Sequence, residues 1–259
     1  MGAGAARVVK ALQLAGGHVG TTEMPKTPEP IALTPELVAF VDRTEPDPGP
    51  EPGRHDPSDA EFLAMAADVL AGAPEGDIWL FAYGSLIWNP DHVFVEQRHA
   101  TANGWHRSFC LKLTRWRGTR EIPALMMALD RGGSCTGLVY RLPPGDRLEQ
   151  IERLLRRETD GIPTTNVARW ITVNADGKPT RALAFVAARN GVAYAGGQSP
   201  ASVAHVIARA AGHWGSAASY LERTVSKLDE HGIRDRNLWT LQRLVAQEIS
   251  MMRASVWSG

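Results

Sequence analysis

Cysteine is scarce in this chain: Cys110 and Cys135 are the two in 259 residues. Two cysteines cannot build a disulfide framework, and their separation fits no metal-ligand pattern. Both are therefore expected as small core residues in a reducing, cytoplasmic setting. Net charge is missing as well. Lys+Arg and Asp+Glu number 28 each, which leaves no overall field to draw the chain to nucleic acid or to an anionic membrane surface. No apolar run approaches the length of a membrane span, and Met1 to Gly20, with Arg7 and Lys10, lacks the unbroken apolar stretch of a signal peptide. Internal repeats are absent too. What the chain does have is 44% hydrophobic residues, enough to bury a full core as one large domain or as one domain with appendages.

Glycine and proline divide it. Residues 1–57 are rich in both, and Glu45-Pro46-Asp47-Pro48-Gly49-Pro50-Glu51-Pro52-Gly53 can continue neither a helix nor a sheet ladder. They read as an extension and linker, with Leu37, Val38 and Val41 at helical spacing predicting a short helix over Thr34 to Asp42 that can dock onto the domain. The folded domain, 58–259, is expected to begin at Ser58-Asp59-Ala60-Glu61, which has the form of a capping box. Phe62, Met65, Ala66 and Val69 follow at helical spacing up to Gly72. Val93 to Arg98 and Trp105 to Thr114 read as strands around an Asn103-Gly104 turn, and Leu125 to Leu129 with Cys135 to Leu142 as a hairpin around Asp130-Arg131-Gly132-Gly133. A helix is expected from Arg147 to Glu158, then strands from Asn166 to Val173 and Arg181 to Ala187. Helices capped by Ser199, Ser216 and Asp235 complete the order. Strands around one inserted helix, then helices, predict an α+β fold with a mostly antiparallel, barrel-like sheet.

Two features carry chemistry. In Ile78-Trp79-Leu80-Phe81-Ala82-Tyr83-Gly84-Ser85-Leu86-Ile87-Trp88 an apolar strand is cut off by Tyr-Gly-Ser. Gly84, without a Cβ, is expected to take a left-handed turn and admit a ligand to the backbone, with Ser85 adding a hydroxyl and N–H donors. The second feature is Glu158. At about 100° per residue it falls on the stripe of Leu148, Ile151, Leu154 and Leu155, where burial would raise its pKa toward that of a general base. Spacing alone equally allows a frayed helix end with Glu158 in solvent or paired with Arg157. Other readings are weaker. Ser85 lacks the flanking glycines of a nucleophile elbow, the loop lacks the Gly-Lys-Ser/Thr ending of a nucleotide-binding loop, and His92, His99 and His106 have no matching carboxylate or thiol, so no metal is expected.

The segments Trp79 to Pro90, Gly104-Trp105-His106-Arg107-Ser108-Phe109-Cys110, Thr136 to Pro143 and Arg157-Glu158 resemble, in order, the ChaC-type γ-glutamylcyclotransferases. The resemblance runs from about Ile78 to the C-terminal helices. It implies a small mixed, mostly antiparallel β-barrel of the γ-glutamylcyclotransferase type surrounded by helices, with a helical C-terminal segment. It also implies cleavage of a small-molecule substrate, glutathione or a related γ-glutamyl peptide, to 5-oxoproline and Cys-Gly with no cofactor; the alternatives are a cyclotransferase for other γ-glutamyl amino acids or amines and a non-catalytic binding or regulatory module on the same fold. The substrate-holding loop maps to Tyr83, Gly84, Ser85, Leu86 and Ile87, the catalytic glutamate to Glu158, and a substrate-bordering tyrosine to Tyr194. Three positions depart from the family pattern: Ala82 replaces a glycine, Pro123-Ala124-Leu125 replaces Pro-Gly-Arg, and Gly161-Ile162 replaces Gly-Tyr.

Overall fold

The computed structural model describes residues 30–257; the reading of residues 1–29 as extension lies outside the described residues. Five strands close a barrel in the order β1-β3-β2-β4-β5, with β1 Trp79–Ala82, β2 Glu96–Leu113, β3 Ala124–Arg141, β4 Asn166–Ala175 and β5 Lys178–Ala187. Most pairings are antiparallel, and the parallel contacts of β5 with β1 (Leu183 opposite Leu80) and with β3 (Val186 opposite Leu129) make the sheet mixed. The expected α+β barrel is what forms. Leu80, Phe81, Leu129, Leu138, Tyr140, Leu183 and Phe185, spread over both faces of this sheet, are each essentially inaccessible to water. Cys110 and Cys135 are buried and free.

The middle of the sheet differs from the sequence reading. Asn103-Gly104 and Asp130 to Gly133 are not hairpin turns. β2 and β3 are each 18 residues long and pair with one another, Glu96 opposite Arg141 at one end and Leu113 opposite Ala124 at the other. The true turn is the connection 114–123. Register slips between Asn103 and Trp105, where Gly104 faces Gly132 and Gly133, all with positive φ. Glycines in that conformation serve a bulge as readily as a turn, and the apolar pattern continues across this one.

The helices follow their caps. α2 (Asp59–Ala71) has the full capping box, with Ser58 accepting from the Glu61 N–H and Glu61 accepting from the Ser58 N–H. α4 (Arg147–Glu158) starts on Asp146, whose carboxylate accepts from the N–H groups of Leu148 and Glu149. It buries Ile151, Leu154 and Leu155, a contribution of about 1.5–3 kcal/mol each. α5 (Pro200–Ile207) begins on Ser199, and α6 (Ala217–Glu230) on Ser216 at the end of the small ribbon β6 (Ala211–Gly212) and β7 (Gly215–Ser216). α7 (Arg236–Trp257) begins with Asp235 accepting from Asn237 and Leu238.

Residues 31–57 belong to the folded unit, not to a free linker. Among the described residues, 31–257 form one compact body. α1 (Pro35–Val41), the expected short helix, puts Val38 and Val41 into the main core beside Leu33. The side-chain oxygen of Gln242, itself inaccessible, accepts from the N–H groups of Ala32 and Leu33 at 2.8 Å each. Proline-rich composition excludes a ladder, but it does not exclude docking through side chains.

Candidate active site

β1 ends at Ala82, and the chain turns through Tyr83 and Gly84 into a single helical turn, α3 (Ser85–Trp88). Leu86 and Ile87 are buried and act as anchors, so whatever they offer a ligand is backbone. No side chain caps α3. The turn is held from two sides. Arg107, 2% exposed, donates from Nε to the Tyr83 carbonyl at 2.7 Å and from Nη2 to the Thr136 carbonyl at 2.6 Å, and pairs through Nη1 with Asp235 at 3.0 Å. The Tyr83 hydroxyl donates to the Phe185 carbonyl at 2.7 Å.

Gly84 is not left-handed: its φ is −142°. The reason for glycine is space. A Cβ there would lie 2.8 Å from the Met127 methyl and 3.0 Å from the Tyr220 hydroxyl. That hydroxyl faces the N–H and side chain of Ser85. The Tyr220 ring meets Trp88 edge-on at 5.8 Å and Phe109 at 6.2 Å, and it carries the Arg117 guanidinium 5.4 Å from its centroid. Arg117 is buried and held by Nη1 donating to the Ser216 carbonyl and the Ser219 hydroxyl, at 2.8 and 3.0 Å.

Glu158 is the last residue of α4, and both readings of it hold in part. It is paired with Arg157, whose Nε donates to Oε1 at 3.0 Å, yet its side chain is only 16% exposed. Burial pushes its carboxyl above the ordinary range, and the Arg157 charge and hydrogen bond pull it part of the way back. The negative end of the α4 dipole acts in the same direction as burial. Its field reaches both tyrosines. Burial first, and the Glu158 carboxylate second, push the Tyr83 phenol well above its usual value and that of Tyr220 up to about 12. Both phenols are therefore neutral donors at physiological pH.

The structure thus joins Tyr83, Gly84 and Ser85 in one turn against Tyr220, with Glu158 within electrostatic reach of both phenols. Tyr194 makes its contacts in a different cluster. Its hydroxyl donates to Asp130 Oδ2 at 2.7 Å, its ring lies under Arg189, and it packs on Cys110, Leu111, Ala128 and Ala187. The tyrosine beside Gly84 is Tyr220, which sequence reasoning missed. In Ala217-Ala218-Ser219-Tyr220-Leu221 it reads as one more apolar residue of a core helix, and only the tertiary packing puts its hydroxyl against Ser85. Replacing it with Phe is expected to keep the fold and lower turnover roughly tenfold, the value of one well-placed hydrogen bond to a developing charge. Steady-state kinetics beside a melting curve would check this. As for the histidines, His92 packs on Phe94 and Tyr140 and His106 bonds to the Gly132 carbonyl. Among the described residues no three metal-binding side chains converge.

Comparison with known proteins agrees with this geometry. The family described as ChaC-like protein matches residues 78–248. The chain is 36% identical to the glutathione-specific γ-glutamylcyclotransferase of Escherichia coli K12 over 176 residues, 68% of this chain and 75% of that protein. It is 29% identical to the human glutathione-specific γ-glutamylcyclotransferase 1, over 59% of this chain and 69% of the relative. Among solved structures, a glutathione-specific γ-glutamylcyclotransferase from yeast aligns with a TM-score of 0.61 at 21% identity. That alignment covers 67% of this chain and 97% of the other, and it shows the same fold. With the family match spanning most of the folded unit, this chain belongs to the ChaC-like protein family.

Proposed function

We propose that this protein is a γ-glutamylcyclotransferase that cleaves glutathione into 5-oxoproline and Cys-Gly, with Glu158 moving the protons. The supporting observation is a carboxyl of raised pKa, shielded from water and within electrostatic reach of the Tyr83 and Tyr220 phenols, in a chain 36% identical to an enzyme named for this activity.

The reaction is intramolecular. The α-amine of the γ-glutamyl group attacks its own γ-carbonyl carbon, the bond from that carbon to the cysteine nitrogen breaks, and a five-membered lactam remains. Two protons cross from the α-ammonium to the departing nitrogen. Glu158 takes the first as a carboxylate, delivers it, carries the second in turn, and ends as it began. A pKa above that of an ordinary carboxyl suits both halves of that cycle. Folding the substrate back on itself is the other requirement, and a site that holds amine and carbonyl in contact removes several kcal/mol of barrier. The N–H groups of the Tyr83 to Leu86 turn and the Tyr220 hydroxyl are donors for the α-carboxylate or the developing oxyanion. Arg117, behind the Tyr220 ring, adds positive potential to the same end of the site.

A panel of glutathione, γ-glutamyl amino acids and γ-glutamylamines, assayed for 5-oxoproline, tests the substrate. Glutathione should give the highest kcat/KM. A preference for γ-glutamyl amino acids lacking the C-terminal glycine would overturn the glutathione assignment.

A further inference from the structure

The segment 45–56 lies outside the family match, and its prolines deny it a helix or ladder. It is nonetheless tied down along its whole length. Arg115 grips Asp47 with both Nε and Nη2 at 2.8 Å, and Asp56 with Nη1 at 2.8 Å, closing the segment's two ends onto one guanidinium. Arg120 donates to the Pro48 carbonyl at 3.2 Å, and the Thr114 hydroxyl donates to Glu51. On the other side, Arg54 donates to the Pro163 carbonyl at 3.0 Å and meets Asp160 at 2.9 Å, while His55 and Ile162 exchange backbone hydrogen bonds of 3.1 and 2.9 Å. The Arg54–Asp160 pair is the shielded one, with side chains 11% and 13% exposed. Gly161, at φ +145°, makes room for it: a Cβ would stand 3.2 Å from Arg54 Nη2 and 3.3 Å from the His55 carbonyl.

Apart from contacts of Glu45 with the Gly212 carbonyl, Asp47 with His213 and His55 with Glu61, these ties land on two places. One is the β2–β3 connection that carries Arg117. The other is the turn 160–163, which begins two residues after Glu158. Asp160 braces that turn from within as well, its Oδ1 accepting from the Thr165 N–H at 3.2 Å. A linker that merely joins two parts has no use for a buried ion pair on the turn that ends the helix bearing Glu158.

We propose that residues 47–56 are a positioning strap for the active site, and that Arg54, through Asp160 and the Pro163 carbonyl, fixes the turn that orients Glu158. The strap is thus a part of the catalytic apparatus supplied by residues outside the family match. The inference rests on Glu158 being the proton carrier, and its test keeps the two claims apart.

Deleting residues 1–57 would strip Leu33, Val38 and Val41 from the core, so the test uses point variants of the full chain. Arg54→Ala, Arg54→Lys, Asp160→Asn and Glu158→Gln are compared with the parent for kcat, KM for glutathione, the pH profile of kcat, and melting temperature. Arg54→Ala is expected to lower kcat roughly 10- to 100-fold with KM within about threefold of the parent, the size of effect that small misplacements produce. Its acid limb should also move to lower pH. A loosened turn admits water to Glu158, while Arg157 on its own helix and Tyr83 and Tyr220 across from it stay as they were. Arg54→Lys, which retains the charge facing Asp160, should recover most of the loss. Should Arg54→Ala not fold, Asp160→Asn, which keeps the side chain's shape, carries the same expectation. A folded Arg54→Ala with the parent's kcat and acid limb, beside an inactive Glu158→Gln, would overturn the strap alone. An active Glu158→Gln would overturn the proton carrier and, with it, the strap's action through Glu158.

Discussion

Glu158→Gln is expected to fold, bind glutathione and form almost no 5-oxoproline. The amide keeps an oxygen for the Arg157 Nε–H, so the end of α4 is not disturbed. What is lost is the ability to take and return a proton, which typically contributes about 10² to 10⁴-fold to rate. KM should change little, because no binding contact disappears. Stability gives an independent check. The folded carboxyl holds its proton to higher pH than the same group in the unfolded chain. Its favourable contribution is therefore present in acid and lost as pH rises through the folded pKa. At neutral pH the buried carboxylate is a cost, so the Gln variant should melt no lower than the parent. The parent's kcat/KM should fall as pH drops through that same raised pKa. Near-normal turnover in a folded Glu158→Gln would remove Glu158 from the mechanism.

Gly84→Val should be nearly as damaging, by a different route. Its Cβ must displace the Met127 methyl or the Tyr220 hydroxyl. Met127 ends in a flexible thioether and can give way. Tyr220 cannot move far, since Trp88, Phe109 and Arg117 hold its ring on three sides. The branched methyls add bulk where the turn faces Tyr220, and overpacking of this kind costs about 1–3 kcal/mol of stability. A shift of about 1 Å in the donors is enough to lower kcat/KM by roughly 10²-fold. Gly84→Ala carries the same Cβ without the branched methyls, so once the methionine moves aside the Tyr220 hydroxyl has to give by only a few tenths of an ångström, and this variant should retain more activity than Gly84→Val. An unchanged kcat/KM in a folded Gly84→Val would show that the Gly84–Tyr220 spacing plays no part in the site.

These variants also show what could be read from the chain before its structure. Helix starts were legible because they are local chemistry: Ser58 with Glu61, Ser199, Ser216 and Asp235 each act within three residues of themselves. Glu158 was half legible: α4 is regular, and Ile151, Leu154 and Leu155 put that position on the inward stripe, but the same spacing equally allowed the pairing with Arg157 that also forms. The long strands were not. Gly104, Gly132 and Gly133 signal positive φ, and whether that ends a strand or bends it depends on a partner far along the chain. Tyr220 was invisible for a similar reason, since nothing near it in sequence distinguishes a core tyrosine from one whose hydroxyl meets Ser85. Beyond the short helix α1, the docking of 31–57 was hidden by composition. Proline and glycine report on the backbone, whereas this segment is held by Arg54, Arg115 and Gln242, whose partners are distant.

The central claim is that the γ-glutamyl amine, and not water, cleaves the bond. Incubating the purified protein with glutathione in ¹⁸O-enriched water, and analysing the products by mass spectrometry, tests it most directly. The account predicts 5-oxoproline and Cys-Gly in equal amounts, without ¹⁸O in either. Free glutamate carrying ¹⁸O, or no cleavage at all by the folded protein, would contradict it.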